Sequence, residues 1–262
     1  MNIESAPQTQ TAPKQARLAL FWTLLGALST LAVFPYLMAT LPSWFAQLPM
    51  PLPVLVLAQL AQTGVLLLLG SWIGLRLGQP IGLDSPFARA LVYRLKPPAV
   101  SRRAVSFSLL TSLAGGLIIL ALDRLFQPFM PASSQTTGIT VELWKRALAS
   151  FYGGLTEELL VRLFLMTLVT WLLWKIILKG KAQPSPLIFW IAIVFTAILF
   201  GAGHLPAAAG LWPLTPVVIT RTILLNALAG VAFGFIYWQW GLEYAMLAHF
   251  CADIVLHGLG GS

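Results

Sequence analysis

The chain has 262 residues, of which 58% are hydrophobic and 9% are charged, and its net charge is +8. Soluble domains carry about 25% charged residues, so this composition excludes an ordinary soluble protein. A basic soluble chain would favour a nucleic-acid partner. Here the basic residues lie mostly between apolar runs, as membrane topology requires, so no nucleic-acid partner is expected. The single cysteine, Cys251, excludes an internal disulfide.

The predicted elements begin with a polar tail, residues 1–16, which we expect to be disordered. The tail lacks the pattern of a cleavable signal peptide, so the first apolar run is predicted to be a retained helix. A transmembrane helix needs roughly 20 apolar residues. Runs near this length are residues 18–40, 54–75, 105–122, 155–174, 187–204, 218–240 and 242–259. We predict an all-α, polytopic transmembrane helical bundle of about seven spans, with eight as the alternative count, forming one domain over residues 17–262.

Two segments between the third and fourth runs carry their own predictions. Residues 126–140 are predicted to form a loop. Residues 141–150 are predicted to form a short amphipathic piece along the membrane surface. Small residues repeat at every fourth position in two of the apolar runs, which favours close packing of helices. These residues are Gly70, Gly74 and Gly78, and then Gly230 and Gly234.

The distribution of basic residues predicts the orientation of the bundle. With seven spans, eleven basic residues fall on one side: Lys14, Arg17, Arg76, Arg89, Arg94, Lys96, Arg102, Arg103, Lys175, Lys179 and Lys181. Four fall on the other side: Arg124, Lys145, Arg146 and Arg221. Because loops rich in Lys and Arg stay in the cytoplasm, we predict a multi-pass protein of the cell membrane with its N-terminus in the cytoplasm and its C-terminus outside.

Ionisable residues inside or at the edge of the apolar runs indicate a functional site. Such side chains cost several kcal/mol at bilayer depth and usually face the interior of the bundle. The six residues of this kind are Glu157, Glu158, Arg162, His204, His249 and Asp253. One alone could be structural, as an ion pair or an interfacial residue. Their occurrence on three spans favours one shared site.

The spacing of these residues predicts the directions in which their side chains point. Glu158 lies four residues before Arg162. This order, with the acidic residue closer to the N-terminus, favours an ion pair on one face of a helix. Glu157 is rotated about 100° away from Glu158. The preceding residues 153–156 resemble a helix start, with Thr156 or a nearby backbone group as a candidate cap.

The other two groups follow later in the chain. His204 closes the fifth run after small residues that would let another helix approach. His249 and Asp253 stand four residues apart on one face of the seventh run, whereas Cys251 points away from His249, which argues against a Cys–His nucleophilic pair.

The ordered set of these motifs resembles the CPBP family of CAAX-processing and bacteriocin-processing membrane proteases. The matching residues are Glu157-Glu158-x-x-x-Arg162, Phe200-x-x-x-His204 and His249-x-x-x-Asp253. The resemblance covers roughly residues 151–259, so the catalytic core is expected at about 145–260. It implies an intramembrane endopeptidase that acts on a peptide or membrane-protein substrate within the lipid bilayer.

The resemblance also implies residue roles and no cofactor. Glu157 would be the general base for a water that His204 also holds, and His249 with Asp253 would stabilise the oxyanion. The supporting residues would be Glu158, Arg162 and Phe200. Many family members carry asparagine where this chain has Asp253, and an ionised aspartate cannot donate a hydrogen bond. Our hypothesis is that Asp253 orients His249, which then donates to the oxyanion.

Three other functions stay open. A metal-dependent membrane protease is one, because Glu, His and Asp are all zinc ligands, although a His-Glu-x-x-His helix is missing. A non-catalytic immunity or partner-binding protein of the same family is the second. A proton-coupled transporter is the third, but the paired broken helices typical of transporters are not evident. The sequence does not select a substrate, and the span count places Glu157 and His204 towards the non-cytoplasmic side.

Overall fold

The computed structural model describes residues 15–133, 141–179 and 183–259. Most of these residues are helical, and no strand occurs among them. The first four α-helices are α1 (Ala16–Thr40), α2 (Pro42–Ala46), α3 (Leu52–Gly78) and α4 (Pro86–Tyr93). Then follow α5 (Arg102–Phe126), α6 (Leu143–Phe151), α7 (Thr167–Leu178), α8 (Pro186–Gly203), α9 (Leu205–Ala209), α10 (Pro216–Trp240) and α11 (Leu242–Leu259). Short 3₁₀ turns follow α3 at Gln79–Ile81 and α5 at Gln127–Phe129.

Six helical segments in the described part of the chain are long and apolar enough to cross a membrane. They are Ala16–Thr40, Leu52–Ile81, Arg102–Phe129, Leu143–Leu178, Pro186–Ala209 and Pro216–Trp240. The predicted all-α, polytopic bundle is therefore confirmed. The seventh predicted run is the single helix α11, which falls outside this set because four ionisable residues, Glu243, His249, Asp253 and His257, make it less apolar.

The segment Leu143–Leu178 forms one continuous helical rod, which we call the central rod. It consists of α6, two π-helical stretches (Tyr152–Glu157 and Leu159–Met166) and α7. The prediction of a helix start at 153–156 is wrong, and the amphipathic piece predicted at residues 141–150 forms the first turns of this rod. Thr156 is not a cap: its buried hydroxyl donates to the Gly26 carbonyl in α1 at 2.9 Å.

The other helices surround the central rod. α1 and α3 pack on one side of it, α8 and α10 on another, and α11 lies between the rod and α5. Small residues allow these approaches, as predicted. A Cβ on Gly201 would lie 2.5 Å from the Ile223 carbonyl in α10, and one on Gly74 would overlap the backbone carbonyl of Leu163 in the rod.

The bundle has two chemically distinct ends. At the basic end, formed by the start of α1, residues 76–103, Lys175 and Lys179, the Leu242 amide donates to the Asp84 carbonyl at 3.1 Å. At the opposite end, which we call the α2–α9 end, Arg146 at the start of the rod donates to the His257 carbonyl at 3.0 Å. The polar tail at residues 1–14, residues 134–140 of the predicted loop and Lys181 lie outside the described residues.

Candidate active site

A buried ion pair within the central rod forms the base of the site. Glu158 is fully buried, and its Oε1 lies 3.3 Å from Nη1 of Arg162, as the spacing predicted. Nη2 of Arg162 donates to the Gly230 carbonyl in α10 at 3.1 Å. The guanidinium also lies 4.8 Å from the centre of the Phe200 ring. The pair therefore joins the rod to α8 and α10, and its charges are compensated in the interior.

His249 of α11 is held by the same carboxylate. Its Nδ1 lies 2.8 Å from Oε1 of Glu158, so the ring donates there and the carboxylate oxygen accepts. The imidazole stacks on Phe233 with ring centres 4.4 Å apart. These two contacts turn Nε2 towards Glu157 and Asp253. The hydrogen bond that orients His249 thus comes from Glu158, whereas Asp253 lies 3.7 Å from the other ring nitrogen.

Glu157 and His204 face each other across the site. Oε1 of Glu157 lies 3.8 Å from Nε2 of His204, which caps the C-terminus of α8. Nδ1 of His204 lies 2.8 Å from the Phe200 carbonyl, which can only accept. The proton of the neutral ring is therefore on Nδ1, and Nε2 presents a lone pair to Glu157.

The four predicted catalytic side chains come together from three separate helices. Oε2 of Glu157 lies 3.7 Å from Nε2 of His249, and Oδ1 of Asp253 lies at the same distance from that nitrogen. These separations exceed the range of a direct hydrogen bond. A water or a peptide oxygen can bridge polar groups at this spacing. The arrangement can therefore bind an oxygen atom between a carboxylate and two imidazoles.

A pocket of about 490 Å³ adjoins this cluster. Glu157 and His204 lie on its wall, beside the partly exposed aromatic ring of Tyr152 and the small residue Gly203. The remaining lining is mostly apolar and comes from α1, α2, α3, the rod, α8 and α9: Thr30, Val33, Phe34, Leu37, Trp44, Phe45, Leu55, Gln59, Leu160, Val161, Leu165, Leu199, Phe200 and Ala207. A pocket of this kind suits an apolar ligand held beside a few polar groups.

The sequence did not predict a role for Gly153 beside this cluster. A Cβ at this position would overlap Oδ2 of Asp253 and lie 3.0 Å from Nε2 of His249. A Cβ on Gly154 would lie 2.9 Å from Cβ of Phe250. The glycine pair allows α11 to approach the π-helical part of the rod. Its helical surroundings were the signal, since glycine inside a helix usually has a packing reason.

Among the described residues, no group of three or more His, Cys, Asp and Glu side chains is arranged to hold a metal ion. The fully buried Glu158 is paired with Arg162 and His249. Its carboxylate is therefore not free to join such a group. Cys251 lies two residues from His249 and is a free, half-buried thiol.

Comparison with known families identifies the region that contains this cluster. Residues 139–255 match the family described as type II CAAX prenyl endopeptidase, Rce1-like. This part of the chain, less than half of its length, is similar to the Rce1-like CAAX protease family. The match extends from just before the rod through most of α11 and includes Glu157, His204, His249 and Asp253. Comparison with curated proteins and with solved structures gives no match. The similarity supports a membrane peptidase, and α1 to α5 lie outside the matched residues.

Proposed function

We propose that this protein is an intramembrane endopeptidase that hydrolyses a peptide bond with a water activated by Glu157. The observation that carries the proposal is the position of the Glu157 carboxylate, 3.8 Å from Nε2 of His204 and 3.7 Å from Nε2 of His249 on the wall of an apolar pocket. The similarity of residues 139–255 to a CAAX protease family supports peptide hydrolysis.

Glu157 and His204 act on the water. The water donates one hydrogen bond to the Glu157 carboxylate and one to the lone pair on Nε2 of His204, which places its oxygen in line with the scissile carbonyl. As this oxygen bonds to the carbonyl carbon, Glu157 takes up a proton. Glu157 then gives the proton to the departing amine as the C–N bond breaks. This is general acid–base catalysis without a covalent enzyme intermediate.

His249 stabilises the negative charge that develops on the carbonyl oxygen. With Nδ1–H directed at Glu158, a protonated ring donates its Nε2–H towards the space shared with Glu157 and Asp253. Asp253 adds a negative charge beside that nitrogen and does not itself donate when ionised. A donor held in advance at the position of the oxyanion lowers the barrier to hydrolysis.

Glu158, Arg162 and Phe200 are positioning residues in this proposal. Glu158 fixes the ring of His249, and Arg162 balances the charge of Glu158 in the interior. Phe200 contacts the guanidinium with its ring and holds His204 with its carbonyl.

The first test compares the wild type, Glu157→Gln and Glu142→Gln in liposomes with a library of peptides and membrane-protein segments. Glu157→Gln keeps the size of the side chain and removes the base, so we expect cleavage to fall by at least about 100-fold. Glu142 is an exposed glutamate paired with Lys145 outside the pocket, so Glu142→Gln should cleave at the wild-type rate. Cleavage products are identified by mass spectrometry.

Two outcomes would redirect the proposal. Equal products from the wild type and Glu157→Gln would favour a non-catalytic, partner-binding protein. Loss of wild-type cleavage in a chelator, with recovery after addition of Zn²⁺, would favour the metal-dependent alternative. We expect full activity in the chelator.

A further inference from the structure

The proposed catalytic cluster lies at one end of the bundle. His204 is the residue after α8, an 18-residue helix that rises roughly 27 Å at 1.5 Å per residue. The hydrocarbon core of a bilayer is about 30 Å thick, so α8 is close to the length of one crossing. α8 starts next to the basic end. Its last residue, and with it the cluster, therefore lies close to the other membrane surface.

Tryptophan side chains mark the same surface. Trp44 in α2 is 51% exposed, and Trp144 at the start of the rod is 54% exposed. Trp212 follows α9 and lies under the guanidinium of Arg221. Tryptophan concentrates at membrane–water interfaces. Trp44 lines the same pocket as Glu157, which places the pocket at the depth of this interface.

The charge distribution assigns this surface to the non-cytoplasmic side. Within the described residues, nine basic side chains belong to the basic end: Arg17, Arg76, Arg89, Arg94, Lys96, Arg102, Arg103, Lys175 and Lys179. Four belong to the α2–α9 end: Arg124, Lys145, Arg146 and Arg221. The end with more Lys and Arg stays in the cytoplasm. The proposed catalytic cluster lies at the end with fewer Lys and Arg residues, which is therefore the non-cytoplasmic end.

The pocket continues towards this end as an apolar channel. A second cavity of about 440 Å³ shares Leu37, Trp44, Phe45 and Ala207 with the first and reaches Gln47 and Gly210 in the connections beside α2 and α9. The described residues that line the two cavities include no Lys or Arg. The lining therefore offers no permanent cation to a free terminal carboxylate, and it suits the interior of an apolar polypeptide segment.

We propose that the substrates are bilayer-anchored polypeptides whose scissile bond emerges at the non-cytoplasmic membrane surface, and not tails that end in the cytoplasm. This inference rests on the proposed protease function. It adds the substrate class and the side of the membrane on which cleavage occurs.

The side is tested first, without an activity measurement. Gln47→Cys and Lys96→Cys are made separately in a Cys251→Ser background, and intact expressing cells receive a membrane-impermeant maleimide. Both positions are exposed, and they lie at opposite ends of the bundle. We expect Gln47→Cys to be labelled in intact cells and Lys96→Cys only after lysis. The reverse pattern would overturn the assigned side whatever the activity of the protein.

The substrate class is tested with two reporters that share one apolar anchor and one peptide. One reporter carries the peptide after the non-cytoplasmic end of the anchor and the other after the cytoplasmic end. We expect the wild type to cut only the first reporter, at least tenfold faster than Glu157→Gln does. Cutting of the cytoplasmic reporter alone would overturn the substrate class and leave the protease function standing. Cutting of neither reporter, with the expected labelling, would count against the protease function and remove the inference with it.

Discussion

At the scale of single residues, two adjacent glutamates have different environments because the helix turns between them. Glu158 points into the interior, where Arg162 and His249 compensate its charge. Glu157 points into the pocket and faces two imidazole nitrogens at distances that leave room for an oxygen atom. The helical period predicted this division. The sequence did not predict that Glu158 would orient His249, because residues 91 positions apart meet only in the folded chain.

Gly153→Ala tests how closely the site is packed. The added methyl would overlap Asp253 and press on His249, so both side chains must move. We expect kcat to fall by about 100-fold, since small misplacements of catalytic groups have effects of that size. Turnover is measured on a substrate that the wild type cleaves, and unfolding is measured in parallel.

Gly115→Ala in α5 is the matched control, because a Cβ there meets no atom within 4 Å. This variant should keep the wild-type kcat. Normal turnover of a folded Gly153→Ala variant would contradict the position that we assign to Asp253 and His249.

At the scale of helices, the central rod explains where the sequence-based prediction was wrong. Glycine has a low helix propensity, so Gly153 and Gly154 suggested a helix start. In the fold, α11 packs directly on these glycines, and Thr156 bonds α1 through the Gly26 carbonyl and the Ser29 hydroxyl. These tertiary contacts favour the π-helical backbone there. π-Helical stretches often occur at functional sites, and this one carries Glu157.

Gly74→Ala tests the contact between α3 and the rod. A Cβ there would overlap the Leu163 carbonyl, and backbone cannot move aside as a side chain can. We expect the free energy of unfolding to fall by about 1–3 kcal/mol, the usual cost of overpacking. The measurement is reversible unfolding in mixed detergent micelles.

The control substitution lies on the same helix. A Cβ added to Gly64 would meet no atom within 4 Å, so Gly64→Ala should be neutral or slightly stabilising through its better helix propensity. Equal losses of stability in the two variants would mean that helix propensity, and not the close contact with the rod, determines the effect.

At the scale of the whole molecule, α11 decides how many times the chain crosses the membrane. Its first residue bonds Asp84 at the basic end. Near its other end, the ring of His257 lies 5.2 Å from that of Tyr36, close to the end of α1. α11 therefore extends from one end of the bundle to the other, although it is less apolar than the six candidate spans. Its polar residues are tolerated because His249 and Asp253 face the rod and His257 faces Tyr36 in α1, and not lipid.

Seven crossings would place the two ends of the helical domain on opposite sides of the membrane. We expect an epitope ahead of α1 and another after α11 to be digested by protease from opposite faces of sealed vesicles. The polar face of α11 is covered by other helices, so the helix can cross without exposing it to lipid. Digestion of both epitopes from the same face would show that α11 does not cross.

The sequence by itself determined the all-α membrane class, the approximate positions of the apolar helices, the Glu158–Arg162 pair and the set of residues that form the cluster. Each of these depends on composition or on spacing within one helix. The continuous rod, the role of Gly153, the bond between Glu158 and His249 and the pocket beside Glu157 were decided by tertiary structure. They depend on contacts between helices far apart in the chain, and no local pattern of residues specifies the distance between two helices.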